Sequence, residues 1–362
     1  MLSYGFSIRG KAHIAAGVVC QDANSYGEVA PGLYIAIAAD GVGSALHSDI
    51  ASAMAVEKLE EYVRQNISQR SSSEERKSCL KAGFRYAEKC IEAYVQDCGE
   101  QMKDYDTTLH AVLYDGKRVV YGHAGDGGIL VRTNQGRTYE LTSPQKGPDG
   151  VSVMPLRAGD SSWEFGDYHE EVAAVMLVTD GMLEQVIMPH LLNLPANREE
   201  IQATYRHKDH VYLSATEFFM NPYSVMGNRR LDDPLGVYQY FLAGEFQEPE
   251  KAWQGYLSCL KSGYRNLYGS KKAEEIIQTL TASVPLWNIE DTTDDKTVVC
   301  LINEGASVYK PPVSYFMEPD WVRLRKHYES LLYPAETDMV QEETVSEEEM
   351  TQKRKGLFFK KR

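Results

Sequence analysis

Ile35-Ala36-Ile37-Ala38-Ala39-Asp40-Gly41 is an apolar run that ends in a carboxylate and a glycine. The pattern returns as Val175-Met176-Leu177-Val178-Thr179-Asp180-Gly181, and in shorter form as Gly122-His123-Ala124-Gly125-Asp126-Gly127. A short apolar run bounded by polar residues suits a strand buried on both faces. An aspartate at its end places a charge at the rim of a sheet. The glycine after it lets the chain turn, or lets a ligand approach the backbone closely. Several such rims can converge on one cation. Asp-Gly is also an ordinary turn, and Asp115-Gly116 and Asp149-Gly150 are read as turns alone. Taken singly, each Asp-Gly fits a turn better than a metal ligand.

Outward from these runs, strands are predicted over residues 4–9, 33–39, 107–114, 118–122, 128–133, 137–141, 172–179 and 296–302. Asp115-Gly116 and Asn134-Gln135-Gly136 supply hairpin turns. A helix is predicted over 49–65, with Ile50, Met54, Val56, Leu59, Tyr62 and Val63 on one face. After a polar break at 68–73, Ser72 and Glu75 have the spacing of a capping box. The helix they open carries Leu80, Phe84, Ala87, Ile91, Tyr94 and Val95 at core spacing. From about 182 to 290 the chain is rich in Tyr and Phe, punctuated by prolines, and reads as helical over 250–265 and 271–282.

With 43% hydrophobic and 25% charged residues the chain has globular composition and excludes wholesale disorder. A net charge of −14 repels phosphate backbones and argues against nucleic-acid binding. No apolar run approaches the ~20 residues that span a bilayer, so no transmembrane segment is expected. The opening Met1-Leu2-Ser3-Tyr4-Gly5 has no signal-peptide pattern. The cysteines form no C-x-x-C pair and are read as reduced thiols of a cytoplasmic protein.

Four ordered blocks carry a resemblance. They are Gly17-Val18-Val19-Cys20-Gln21-Asp22-Ala23, then Ala38-Ala39-Asp40-Gly41-Val42-Gly43-Ser44, then Asp106-Thr107-Thr108-Leu109 with Gly122-His123-Ala124-Gly125-Asp126. The last is Leu177-Val178-Thr179-Asp180-Gly181-Met182, completed by Asp294-Asp295-Lys296-Thr297-Val298-Val299. The set resembles the metal-dependent serine/threonine protein phosphatases of the protein phosphatase 2C type, and Gly10, His13 and Gln21-Asp22 resemble its bacterial branch. The resemblance implies an α+β fold, a four-layer αββα sandwich of two stacked antiparallel sheets flanked by helix pairs. It implies two Mn²⁺ or Mg²⁺ ions at one edge, with a weaker third position. Asp40 would bridge the metals and the Gly41 carbonyl would bind one of them. Asp22, Asp180 and Asp294 would complete the shell, and Asp126 would join Asp180 at the third position. Asp22, Asp40 and Asp180 would orient a water shared by the ions for in-line attack on phosphorus. Such hard cations prefer oxygen ligands, and no Cys, Ser or His nucleophile is then required.

The chain departs from that pattern at several places. Gln21 stands where many members have Glu. Gly17 stands where eukaryotic members place a phosphate-binding Arg, and Val42 where they place His. Arg9, Lys11, His13 and His47 are the nearby donors, each fitting a solvated role better than a phosphate contact. Asp106 is read as a loop charge. Asp294 is preferred over Asp295 because Asp-x-x-Thr then takes the family spacing.

The predicted organisation is a catalytic domain over 1–304 with an inserted, packed element near 183–248. A linker and short helix follow over 305–336, then a charged tail over 337–362 that is disordered or binds a partner. The function implied is hydrolysis of phosphoserine and phosphothreonine in proteins, opposite a kinase in bacterial signalling. The alternatives are a non-catalytic phosphoprotein-binding or scaffold member, and a two-metal phosphoesterase acting on a small molecule.

Overall fold

Every residue of Val172–Val178 is buried, as is every residue of Lys296–Ile302 and Gly128–Thr133. These strands are the centre of a sheet with both faces covered, which is why their sequences show no polar alternation. The computed structural model describes residues 1–149, 151–186, 219–220, 294–308 and 330. The chain divides into two compact units, Met1–Pro189 with Tyr205–Glu318, and His190–Thr204 with Pro319–Arg362. Of the second unit only Ser330 is described; it is helical and exposed.

The first unit runs β1 (Leu2–Ile8), α1 (Lys11–Ala16), β2 (Ala23–Ala30), β3 (Leu33–Ala39), α2 (Ser48–Asn66), α3 (Ser73–Cys98) and β4 (Leu109–Tyr114). It continues β5 (Val119–Ala124), β6 (Gly128–Thr133), β7 (Thr138–Glu140), β8 (Glu164–Tyr168), β9 (Val172–Val178), α4 (Asp180–Val186) and β10 (Lys296–Ile302). One sheet has the order β1-β10-β9-β6-β7 and the other β2-β3-β4-β5-β8. All pairings between named strands are antiparallel, with Tyr4 opposite Cys300 and Ala38 opposite His110 fixing the register.

The pleat sorts each apolar run onto two faces. Ala36, Ala38, Val112, Tyr114 and Val119 meet Ile129, Val131, Val175, Leu177 and Val299 between the sheets. Tyr114 crosses that gap and donates its hydroxyl to the Val172 carbonyl (2.6 Å). Ile35, Ile37 and Leu109 face outward onto α2 and α3, against Leu59, Val63, Leu80, Phe84 and Ile91. Full burial of each large aliphatic or aromatic side chain contributes about 1.5–3 kcal/mol. The capping box at α3 forms as predicted, with Ser72 and Glu75 exchanging side-chain to backbone bonds.

On the far face of the other sheet, Tyr4, Leu130, Met176 and Cys300 are also fully buried. There Tyr4 donates to the carbonyl of Phe219 (2.5 Å), and Phe219 and Met220 are helical. The architecture is therefore the α+β sandwich of two stacked antiparallel sheets, with helices outside.

Four elements were not predicted: α1, β2, β8 and α4, the short helix that opens at Asp180. None of α1 is buried, and β2 and β8 are edge strands of intermediate burial with mixed polar sequence. The expected insertion at 183–248, the helices at 250–265 and 271–282, the linker region and the tail lie almost wholly outside the described residues. No helix among the described residues is long and apolar enough to cross a membrane.

Candidate metal centre

Asp40 follows directly on β3, and a pair of threonines fixes its backbone. Its N–H donates to Thr108 Oγ1 (2.9 Å), and its carbonyl accepts from the Thr108 N–H (2.8 Å) and Thr107 Oγ1 (2.9 Å). Gly41 then donates to the Gln21 carbonyl (3.1 Å). A Cβ at Gly41 would lie 2.7 Å from the Ser48 carbonyl oxygen and 2.8 Å from that of Gln21, so only glycine fits.

Asp126 sits in the turn between β5 and β6, and Asp180 is the first residue of α4 after β9. Asp40, Asp126 and Asp180 each present a carboxylate oxygen, and these oxygens lie within 4.8 Å of one another. They arrive from three strand ends of both sheets, as the Asp-Gly pattern allowed. Gly181 packs against the Asp295 carbonyl so closely that a Cβ would collide with it.

Asp22 precedes β2 and is buried. Its Oδ2 accepts from Thr179 Oγ1 (2.8 Å) and Thr297 Oγ1 (2.7 Å), threonines that lie beside Asp180 and on β10. Its Oδ1 is buried with no donor but the neighbouring Asp40 carboxyl, and Gln21 Oε1 is buried without a hydrogen-bond partner. Burial raises the Asp22 carboxyl from its ordinary 3.8 to about 6, although hydrogen bonds with Thr297, Asp40 and Thr179 pull it back. The Asp40 carboxyl is pushed well above the usual range, by burial first and then by the charges of Asp22 and Asp180, with Asp294 adding to them. Like charges crowded out of water resist ionisation. A divalent cation relieves that repulsion and supplies the partner that the buried oxygens lack. The donor set is all oxygen, which fits Mg²⁺ or Mn²⁺.

The neighbouring aspartates Asp294 and Asp295 differ in their surroundings. Asp295 is 2% exposed and accepts from the N–H groups of Gly10 (2.5 Å) and Gln21 (2.6 Å), with His13 Nδ1 2.9 Å away. Asp294 has a side chain 51% exposed, accepts from the Asp295 N–H (2.8 Å), and exerts its charge on Asp40. Its carbonyl accepts from the Lys296 ammonium (2.8 Å), whose pKa burial lowers. Asp295 is thus engaged in holding backbone, whereas the Asp294 side chain is half exposed.

The other candidate donors are dispersed. Arg9 donates to the Val18 carbonyl (3.2 Å), Lys11 is exposed, and His13 lies against Asp295. His47 lies 3.4 Å from Glu100 and stacks near Tyr105. Asp106, read from sequence as a loop charge, receives Arg157 through two hydrogen bonds (2.5 and 2.6 Å). Lys146, which sequence gave no reason to single out, forms an ion pair with Asp126. Beneath that turn His110 and His123 face each other through their Nδ1 atoms (2.8 Å), and burial lowers the pKa of both, that of His123 to about 4. They are a neutral pair inside the sandwich. Each interrupts a mostly apolar strand, β4 or β5, but nothing in the sequence marked them as partners.

No curated protein matches the chain. Among solved structures it is similar to the Staphylococcus aureus serine/threonine phosphatase Stp1, at 13% identity over 84% of this chain and 96% of that one, TM-score 0.47. It is similar to the S. agalactiae serine/threonine phosphatase at 14% identity over 83% and 98%, TM-score 0.49. It is also similar to the catalytic domain of the serine/threonine protein phosphatase PstP in complex with two manganese ions, at 14% identity over 82% and 96%, TM-score 0.42. The family model of protein phosphatase 2C matches residues 9–215, more than half of the 362-residue chain. That span contains Asp22, Asp40, Asp126 and Asp180, and the chain belongs to the protein phosphatase 2C family of metal-dependent serine/threonine phosphatases.

Proposed function

We propose that the chain removes phosphate from phosphoserine and phosphothreonine in proteins, opposite a serine/threonine kinase in the cytoplasm. It would do so with two Mn²⁺ or Mg²⁺ ions held by Asp22, Asp40, the Gly41 carbonyl, Asp180 and Asp294. The observation that carries this reading is the convergence of Asp40 and Asp180, whose carboxylate oxygens lie within 4.8 Å of each other, beside the buried Asp22. Bound there, the cations would supply an acidified water for in-line attack on phosphorus and offset charge on the phosphoryl oxygens.

The protein's part is to hold its oxygens still. Thr107 and Thr108 fix Asp40 through its backbone, so its carboxyl oxygens stay available for cations. Thr179 and Thr297 occupy one oxygen of Asp22 and leave the other directed elsewhere. Cys20, the thiol nearest in sequence, is pushed up to about 12, by burial first and then by the Asp295 charge. It is no thiolate at neutral pH, which disfavours a cysteine nucleophile.

The test is release of phosphate from a phosphothreonine peptide with Mn²⁺, with Mg²⁺ and with chelator. Asp40→Asn should lower kcat by about 10³-fold or more, roughly 4 kcal/mol, with an unchanged circular dichroism spectrum. Turnover that survives chelation, or an Asp40→Asn variant as fast as the unsubstituted chain, would refute the assignment.

A further inference from the structure

Asp126 is 5% exposed at its side chain, and a buried carboxylate without a counter-charge is costly. Its counter-charge here comes from the chain itself, as the Lys146 ammonium sits on Asp126 Oδ2.

The placement of Lys146 is set by backbone, not by the reach of a flexible side chain alone. The preceding Gln145 is tied in both directions to Gly125, the residue before Asp126. The Gln145 N–H donates to the Gly125 carbonyl (2.8 Å), and the Gly125 N–H donates to Gln145 Oε1 (3.0 Å). Met154 donates to the Gln145 carbonyl (3.0 Å), and Lys146 itself bridges to Val153. Two residues earlier, the Ser143 carbonyl lies 3.2 Å from His123 Nε2. The loop is thus fastened to the turn that presents Asp126, and its lysine reaches the same carboxylate that joins Asp40 and Asp180. The Lys146 side chain is 40% exposed, so it enters from the solvent side of the cluster.

Building on the functional reading above, we propose that Lys146 is a built-in cation at the third metal position. Its single charge neutralises Asp126, so the chain takes two divalent ions and resists a third. Lys146 is a positioning residue in this role, since it acts on Asp126 and not on phosphate. An ammonium repels an approaching divalent ion and occupies one of its carboxylate oxygens. Removing it frees both the oxygen and the charge.

The experiment is Mn²⁺ binding to the full chain by equilibrium dialysis and titration calorimetry, with Lys146→Met, Lys146→Arg, Asp126→Asn and the double variant Lys146→Met/Asp126→Asn. The unsubstituted chain should bind two ions, with a third only weakly. Lys146→Met should tighten the third ion at least 10-fold, Lys146→Arg should not, and the double variant should lose the gain. Unchanged Mn²⁺ stoichiometry and affinity in Lys146→Met, in a chain that does take two ions, overturns this inference alone. So does a gain that persists in the double variant. A chain that binds no Mn²⁺ at all overturns the functional reading and this inference with it.

Discussion

Asp22 is enclosed by oxygen. Two threonine hydroxyls hold one of its carboxylate oxygens, the Asp40 carboxyl shares a hydrogen bond with it, and the charge of Asp295 stands close by. Its pKa in the folded chain, about 6, lies above the ordinary 3.8, so the folded state holds this proton more tightly than the unfolded state does. Well below the ordinary value of 3.8 both states are protonated and Asp22 costs nothing. As pH rises toward 6 the unfolded chain ionises easily while the folded chain resists. Stability therefore falls with rising pH, at up to about 1.4 kcal/mol per unit of separation between the two pKa values. An asparagine keeps an oxygen for both threonines and never ionises. Metal-free Asp22→Asn should accordingly melt at higher temperature than the metal-free unsubstituted chain near pH 7.5, with the gap closing toward pH 4. Melts in chelator across that range check this, and a gap independent of pH would show that Asp22 is not ionising under strain. Added Mn²⁺ should reverse the order at pH 7.5, because only the carboxylate rewards the cation.

At the scale of elements, the start of β10 fastens the site to the rest of the sandwich. Asp295 accepts the N–H of Gly10, where α1 begins, and of Gln21, which leads into Asp22 and β2. One side chain thus joins β10 in one sheet to the approach to the edge strand of the other. Asp295→Ala would leave two buried N–H groups without acceptors, at about 1–3 kcal/mol each. It should lower stability by roughly 2–6 kcal/mol, read as a lower denaturant midpoint, and disturb Mn²⁺ binding through Asp22. Asp294→Ala removes a half-exposed side chain and should change stability by no more than ~0.5 kcal/mol while weakening Mn²⁺ binding. The opposite pattern, a stable Asp295→Ala beside an unstable Asp294→Ala, would exchange the roles of the two. Which of the adjacent aspartates faced the cluster was a choice of register from sequence, because both fit a strand beginning at Lys296. Other parts were plainly readable. β3, β9 and β10 are buried on both faces and announce it by unbroken apolar runs, and the α3 cap is local chemistry between Ser72 and Glu75. β2 and β8 were not readable, because an edge strand half in water has little pattern to show. Asp40, Asp126 and Asp180 were legible because strands deliver them. Lys146 was not, because the loop bonds between Gln145 and Gly125 that aim it leave no periodic trace.

For the whole molecule, the sheet order joins the beginning of the described fold to its end. β10 lies between β1 and β9, with Leu2 opposite Ile302 and Val298 opposite Val178. The last described strand is internal to its sheet, so the sandwich cannot close until residue 302 has been made. Thr297, which donates to Asp22, arrives only with it. Such long-range pairing delays folding until widely separated segments meet. Every described strand of both sheets lies between Leu2 and Ile302. A chain ending at Glu318 should therefore keep a cooperative melt and hydrolyse the same phosphopeptide. A ligand that binds only the folded state stabilises by RT ln(1 + [L]/Kd), about 2.7 kcal/mol at a hundredfold excess over Kd. Mn²⁺ at that excess should raise the melting temperature of the shortened chain as much as that of the full chain. A shortened chain that folds but shows no Mn²⁺-dependent shift would place part of the metal centre beyond residue 318, contrary to a site drawn from β2, β3, the β5–β6 turn, α4 and β10 alone.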